Sequence, residues 1–378
     1  VPRDSLRPGS LRRATARVLP EIPSWSRLAA VALALSLGGL GGWLASSLQL
    51  PLAWMIGSMV ATAAAAIAGA PIAMAAPLRT VMVAVLGVML GSGFTPEILA
   101  GAGRWTVTLA AIVFYIAACA GLGTLYFRKL CGYDPVTAYF SATPGGLSIM
   151  TIVGIEMGGD GRIISLTHAI RIMVAVLSIP TAFQLLGLLD MASRPPAGPD
   201  LAGLGLPDYL ILGAAGLAGY LGARLLRIPA ASIVGPMLVS MALHLAGVTH
   251  AKPPADLIAC AQVAIGTAIG ARFAGTSLKL IASTLAQSFG VTVIVLGMTV
   301  LFAFSLHEIT GLPAAPIVLA FSPGGLAEMG LTAIALGADA AFVAIHHIVR
   351  ILVIVVFAPI LFRLLSGRTP PPGRGGWS

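Results

Sequence analysis

The chain has 378 residues, of which 58% are hydrophobic and only 9% charged, with 22 Lys and Arg against 13 Asp and Glu for a net charge of +9. A soluble domain carries roughly a quarter charged residues, so this composition excludes an ordinary globular protein and points to a chain embedded in a lipid bilayer. The basic excess lies in tails and short loops, which reads as membrane topology and not as affinity for nucleic acid.

Residues 1–26 form an Arg-rich tail with Arg3, Arg7, Arg12, Arg13 and Arg17, part of which can lie on anionic lipid. The first apolar segment is too long for a cleavable signal peptide and is expected to stay in the membrane. A first membrane unit covers 27–189, with apolar segments at 27–48, 51–72, 78–97 and 105–127, an interrupted piece at 135–157 and a last segment at 161–188. Charge-free runs such as Leu28 to Leu50, Thr106 to Phe127 and Ser288 to Leu306 are each about the ~20 residues that cross a core of ~30 Å as a helix. Residues 190–208, with Pro195, Pro196, Gly198 and Pro199, read as an extended linker. A second membrane unit covers 209–365, and 366–378 form a basic tail. Cys119, Cys131 and Cys260 are scattered and read as packing residues, not as a disulfide or zinc framework.

The second unit repeats the first. Pro144, Met150, Asp160, His168 and Arg171 reappear as Pro323, Met329, Asp339, His347 and Arg350 at one constant offset, without a gap. Pro51, Gly57, Met59 and Gly69 echo as Pro229, Gly235, Met237 and Gly247, while Gly87, Gly91 and Phe94 echo as Gly266, Gly270 and Phe273. Pro51 and Pro229 are expected in the first turn of their helices, and Gly87/Gly91 with Gly266/Gly270 as close helix contacts. If the interrupted pieces are re-entrant, each half crosses an odd number of times and the halves are inverted. That arrangement puts Arg79, Arg128, Lys129, Arg162, Arg224, Arg227, Arg272, Lys279 and both tails on the cytoplasmic side, and leaves Arg104, Arg194 and Lys252 outside. If the pieces span fully, the halves are parallel; the positive-inside bias favours inversion.

Thr143-Pro144-Gly145-Gly146 and Ser322-Pro323-Gly324-Gly325 break otherwise continuous apolar segments. Irregular backbone at membrane depth is tolerated only beside protein or water, and a matched pair of such breaks marks a transporter's binding site. Asp160 and Asp339 precede the last segment of each unit, where they serve as N-caps or as proton- or ion-coupling groups. A helix rise of ~1.5 Å per residue sinks Arg171 roughly 16 Å below Asp160, and Arg350 lies equally far below Asp339. His168 and His347 share a helix face with Arg171 and Arg350. The arginines therefore either face an anionic substrate, with the histidines coupling protons, or are tied structurally to a carboxylate or to the carbonyl ends of a broken helix. Glu328 follows the second Gly-Gly where the first copy has Ile149, with Glu156 a distant substitute, and His346 has Thr167 as its counterpart in the first copy. No nucleotide loop, nucleophile elbow or metal spacing is present, so neither enzyme activity nor a cofactor is expected.

The two breaks, the two His-x-x-Arg pairs and Leu50-Pro51 with Gly57 together resemble the AbrB-type family of bacterial membrane proteins, over about 27–366. The resemblance implies a duplicated membrane domain; the fold expected is an all-α polytopic membrane protein with two repeats, each of about five transmembrane helices plus one Pro-Gly-Gly interruption. Members carry labels as regulators of gene expression and as ammonia monooxygenases. Neither a soluble DNA-binding module nor convergent His and Cys ligands is seen in the sequence. The expectation is a secondary transporter of the inner membrane, with both termini cytoplasmic. It would carry a small anionic solute past Thr143, Gly145, Gly146, Arg171, Ser322, Gly324, Gly325, Glu328 and Arg350, coupled to protons or sodium. A membrane-embedded regulator is the alternative, and an oxidising metalloenzyme the third reading. The partners expected are lipid and solute and not nucleic acid, with homo-oligomerisation left open.

Overall fold

Backbone in hydrocarbon has no water to bond to, so a chain this apolar must satisfy its N–H and C=O groups within helices or a closed barrel. The computed structural model describes residues 24–189 and 198–366, and among these the chain is helical, with no strand. Residues 1–23 and 367–378 of the tails and most of the Pro-rich stretch of the linker lie outside the described residues, while Ser24 and Ser366 already belong to helices.

The first half contains α1 (Ser24–Ser47), α2 (Ala53–Ile67), α3 (Ala76–Gly91), a short α4 (Pro96–Ala100), a 3-10 turn (Ala102–Trp105), α5 (Thr106–Lys129), α6 (Pro135–Ala142), α7 (Leu147–Glu156) and α8 (Gly161–Leu185). The second contains α9 (Leu206–Leu225), α10 (Ala231–Leu245), α11 (Ala255–Gly270), α12 (Leu278–Thr310), α13 (Ala314–Phe321), α14 (Leu326–Ala335) and α15 (Ala340–Ser366). Six helices, α1, α5, α8, α11, α12 and α15, are long and apolar enough to cross a membrane among the described residues. That is fewer than the apolar runs suggest. The run at 51–72 opens with left-handed Leu52 (φ 47) and is closed by Gly69 (φ 87), which leaves α2 with 15 residues, or roughly 22 Å. Large apolar side chains such as Phe114, Phe289, Phe304 and Phe357 point outward from the long helices, where hydrocarbon is the solvent that suits them.

Pro51 and Pro229 do not sit in the first turn as expected. Each precedes a left-handed N-cap, Leu52 or Ala230 (φ 54), so the prolines belong to the turns that lead into α2 and α10. The expected glycine contacts are present. α1 packs on α2, α9 on α10, α2 on α11 and α3 on α10. A Cβ on Gly57 would collide with the carbonyl oxygen of Gly41, and one on Gly235 with that of Gly219. Gly87 and Gly91 face the carbonyls of Ile233 and Met237 in the same way, as Gly266 and Gly270 face those of Met55 and Met59. Small residues let backbones meet where side chains would hold them apart.

The remaining helices gather around α5 and α12. Tyr133 N–H bonds the Phe127 carbonyl at 3.0 Å, and Asp160 N–H bonds Thr137 Oγ1 at 2.8 Å, so α8 begins at the C-terminal end of α5. His346 lies 2.8 Å from Thr108 Oγ1, so the first turns of α15 lie at the N-terminal end of α5. α8 and α15 thus enter from opposite ends of one helix.

The carbonyl contacts make a sharp contrast between glycines. Gly235→Ala is expected to destabilise the protein by about 1–3 kcal/mol through overpacking. Gly213→Ala, at a position on α9 with nothing within 4 Å of the added carbon, is expected to stabilise it by about 0.5–1 kcal/mol. Thermal unfolding of both variants in detergent measures the difference.

Candidate functional site

The two Pro-Gly-Gly segments leave the helix. Thr143 (φ −60, ψ 124) ends α6 and Gly146 (φ −67, ψ 131) opens α7, while Ser322 (φ −60, ψ 150) ends α13 and Gly325 (φ −82, ψ 161) opens α14. The carbonyls at such a break have lost their helical N–H partners, and a substitute donor has to come from elsewhere.

The arginines supply it. Arg171 Nη1 donates to the Thr143 carbonyl and Nη2 to the Gly145 carbonyl, each at 3.2 Å. Arg350 Nη1 donates to the Ser322 carbonyl and Nη2 to that of Gly324, the latter at 2.8 Å. The planar fork of a guanidinium fits two carbonyls across a break as an ammonium cannot. The paired histidines act on the same helix ends: His168 Nε2 lies 2.9 Å from the Phe140 carbonyl and His347 Nε2 lies 3.0 Å from that of Leu319. Of the two structural roles the sequence left open, carbonyl ends, and not a carboxylate, are what each arginine holds. Arg171 and Arg350 are 2% and 4% exposed, and the Nε atom of each is buried without a partner.

The breaks lie close together. A Cβ on Gly145 would touch Ile354, one turn from Arg350 on α15, and the Phe321 ring packs edge-on against Tyr115 of α5 at 5.2 Å. Tyr115 and Cys119 are within electrostatic reach of Arg350, and Arg350 is within that of Arg171. A cavity of about 690 Å³ between α5 and α15 reaches Thr143 past Ile116, Ala120 and Ile354, with Arg128 at its edge.

The family described as "Transition state regulatory protein AbrB" matches residues 54–366. The chain belongs to the AbrB family. Among similar proteins are "Uncharacterized protein YhjN" of Bacillus subtilis (strain 168), 26% identical over 354 residues that cover 88% of this chain and 92% of the relative. "Putative regulator AbrB" of Escherichia coli (strain K12) is 26% identical over 360 residues, or 92% of this chain and 97% of the relative. Both breaks and both His-x-x-Arg pairs of this chain fall within the AbrB match.

In this AbrB chain the carboxylates are distributed unequally around the arginines. Asp160 Oδ1 accepts from Arg162 N at 2.8 Å and from Ile163 N at 3.3 Å, and Asp339 Oδ1 accepts from Phe342 N at 2.9 Å. Both are N-caps, a helix rise of roughly 16 Å away from Arg171 and Arg350. Glu156 is exposed at the end of α7. Among the described carboxylates Glu328 alone is buried near the site, folded over Gly325 in the first turn of α14, within electrostatic reach of Arg79 and Arg350. Among the described residues no group of three or more His, Cys, Asp and Glu is placed to hold a metal ion. Tyr115 and Thr108 were not singled out from the sequence, and a hydroxyl in a long apolar helix gives no signal of what it meets.

Arg350 makes one bond more than Arg171, because its Nη2 also donates to His347 Nδ1 at 2.8 Å. Hydrogen bonds from charged groups contribute about 1.5–3 kcal/mol each. Arg171→Lys and Arg350→Lys are both expected to lower stability by about that amount, with Arg350→Lys the larger loss; chemical denaturation in detergent gives the order.

Proposed function

We propose that the protein is a secondary transporter of a small organic anion, bound between the two Pro-Gly-Gly breaks. The observation that carries the reading is that two guanidinium groups lie buried together and, among the described residues, bond to carbonyls and one imidazole and to no carboxylate. Buried cations in a membrane are costly without a counter-charge, and a single Glu328 offsets at most one. An anionic solute supplies the balance. Gly146 brings no side chain to cap α7, so the first N–H groups of that helix are available to the same anion, whereas the Glu328 carboxylate already lies over the first turn of α14. Thr143, Gly145, Gly146, Ser322, Gly324 and Gly325 would form its backbone cradle, with Arg171, Arg350 and Glu328 setting the charge. Coupling to protons or sodium would follow from the buried ionisable groups.

The repeats are read as inverted, in an inner membrane with both termini cytoplasmic. Supporting this, the corresponding helices α8 and α15 start at opposite ends of α5. A reporter fused after Arg227 is expected to give a cytoplasmic signal; an external one sinks the inverted arrangement.

A membrane-embedded regulator of gene expression is the second reading, favoured by the regulator's name of the family and of one relative. A screen of small organic anions by thermal shift separates the two. A ligand at about 100 times its Kd is expected to stabilise the protein by about 2.7 kcal/mol, and Arg171→Gln and Arg350→Gln to abolish the shift. Uptake of that anion into proteoliposomes is the decisive outcome for transport. Failure of every anion both to stabilise the protein and to cross the membrane overturns the reading.

A further inference from the structure

Three histidines are fully buried, His168, His346 and His347, and their hydrogen bonds decide which can hold a second proton. A backbone carbonyl only accepts and a guanidinium only donates. His347 therefore carries its hydrogen on Nε2, toward the Leu319 carbonyl, and offers a bare Nδ1 to Arg350 Nη2. A second proton there would set one N–H against another. His168 likewise commits Nε2 to the Phe140 carbonyl, and its Nδ1 is buried with no partner, so an added proton would find no acceptor.

His346 differs. Its Nδ1 lies 2.7 Å from the Phe342 carbonyl and so bears a hydrogen, while Nε2 lies 2.8 Å from Thr108 Oγ1. The same hydroxyl is 2.8 Å from the Trp105 carbonyl. One hydroxyl hydrogen thus serves two positions. When the ring is neutral, Thr108 donates to Nε2. When the ring is protonated, Nε2 donates to Thr108 and the hydroxyl hydrogen turns to Trp105. The ring nitrogens are paired in both states, and the ring of Phe342, with centroids 4.0 Å apart, offers a π face to a cationic imidazole.

We propose that His346 and Thr108 together form a proton-binding site in the membrane interior, at which a proton is taken up by His346 Nε2 and released again through rotation of the Thr108 hydroxyl. The site lies a helix rise of roughly 10 Å below Asp339, between that end of α15 and Arg350 at roughly 16 Å. Thr108 is in the first turn of α5, beside the turn that holds exposed Arg104, which makes that end of α5 the nearer exposed face. The titratable and charged groups on α15 and the helices packed against it include Asp339, His347, Arg350 and Arg363 with His346 itself, Tyr115, Cys119, Tyr126, Arg128 and Lys129 on α5, Arg104 in the turn before it, Glu328 on α14 and Arg79 on α3; α13 carries none. Thr167 stands where the first half would have a second such histidine, so the site is confined to one side of the protein.

The coupling role of this site rests on the transport reading, whereas its existence does not. Ring ¹⁵N NMR of histidine-labelled protein in nanodiscs, from about pH 4 to about pH 9, is expected to show one buried imidazole gaining a proton, with that signal absent in His346→Gln. Thr108→Val is expected to move its midpoint by about one pH unit, and Thr108→Ser to restore it. A His346 ring that stays neutral throughout, or a midpoint unmoved by Thr108→Val, overturns the proposal. In proteoliposomes, His346→Gln is expected to flatten the pH dependence of anion uptake; an unchanged profile overturns the coupling role. If His346 titrates and no anion is carried, the transport reading fails while the proton site stands.

Discussion

A broken helix in hydrocarbon leaves carbonyl groups that water cannot reach, and everything around the centre of this protein follows from how those groups are satisfied. The donor chosen is a guanidinium, delivered from a neighbouring helix and shared between two carbonyls on either side of a proline. A neutral donor would have repaired the backbone at less electrostatic expense. The use of arginine, twice and at the same relative place, turns a repair of the main chain into a concentration of positive charge.

The histidines one turn earlier complete the repair and limit their own chemistry. Each holds a carbonyl three residues before the break, Phe140 or Leu319, so the last turns of α6 and α13 are pinned at two levels. Such pinning keeps the short helices in place although neither is long enough to be stable alone. The asymmetry lies beside this frame. Glu328 and His346 occur in the second half only, and both sit where α14 and α15 pack against α3 and α5.

Much of this was open to reading from sequence. The duplicated Pro-Gly-Gly segments announced breaks, because proline and paired glycines within an apolar run have few other uses. The spacing of Asp160 to Arg171 gave the helix rise between them, and their position before a helix offered the N-cap role, one of two left open, that both aspartates take. Three features were not readable. Helix length failed at α2 and α10, where an apolar run conceals left-handed Leu52 and Ala230, residue types that seldom adopt that conformation. The partner of His346 failed because Thr108 is 238 residues away, and no local pattern records a contact between distant helices. Whether an arginine meets a carboxylate or a carbonyl is likewise a matter of tertiary geometry, which spacing alone leaves undecided.

The glycine seams have a mechanical meaning. α2 with α11, and α3 with α10, meet backbone to backbone, with the carbonyls of Met55, Met59, Ile233 and Met237 set against glycines a turn apart. Sliding one helix along its neighbour by a single residue would bring a side chain against a carbonyl, and side chains to spare the collision are absent at those places. These four helices therefore behave as one rigid plate. The two breaks lie outside this plate, among the helices gathered around α5 and α12.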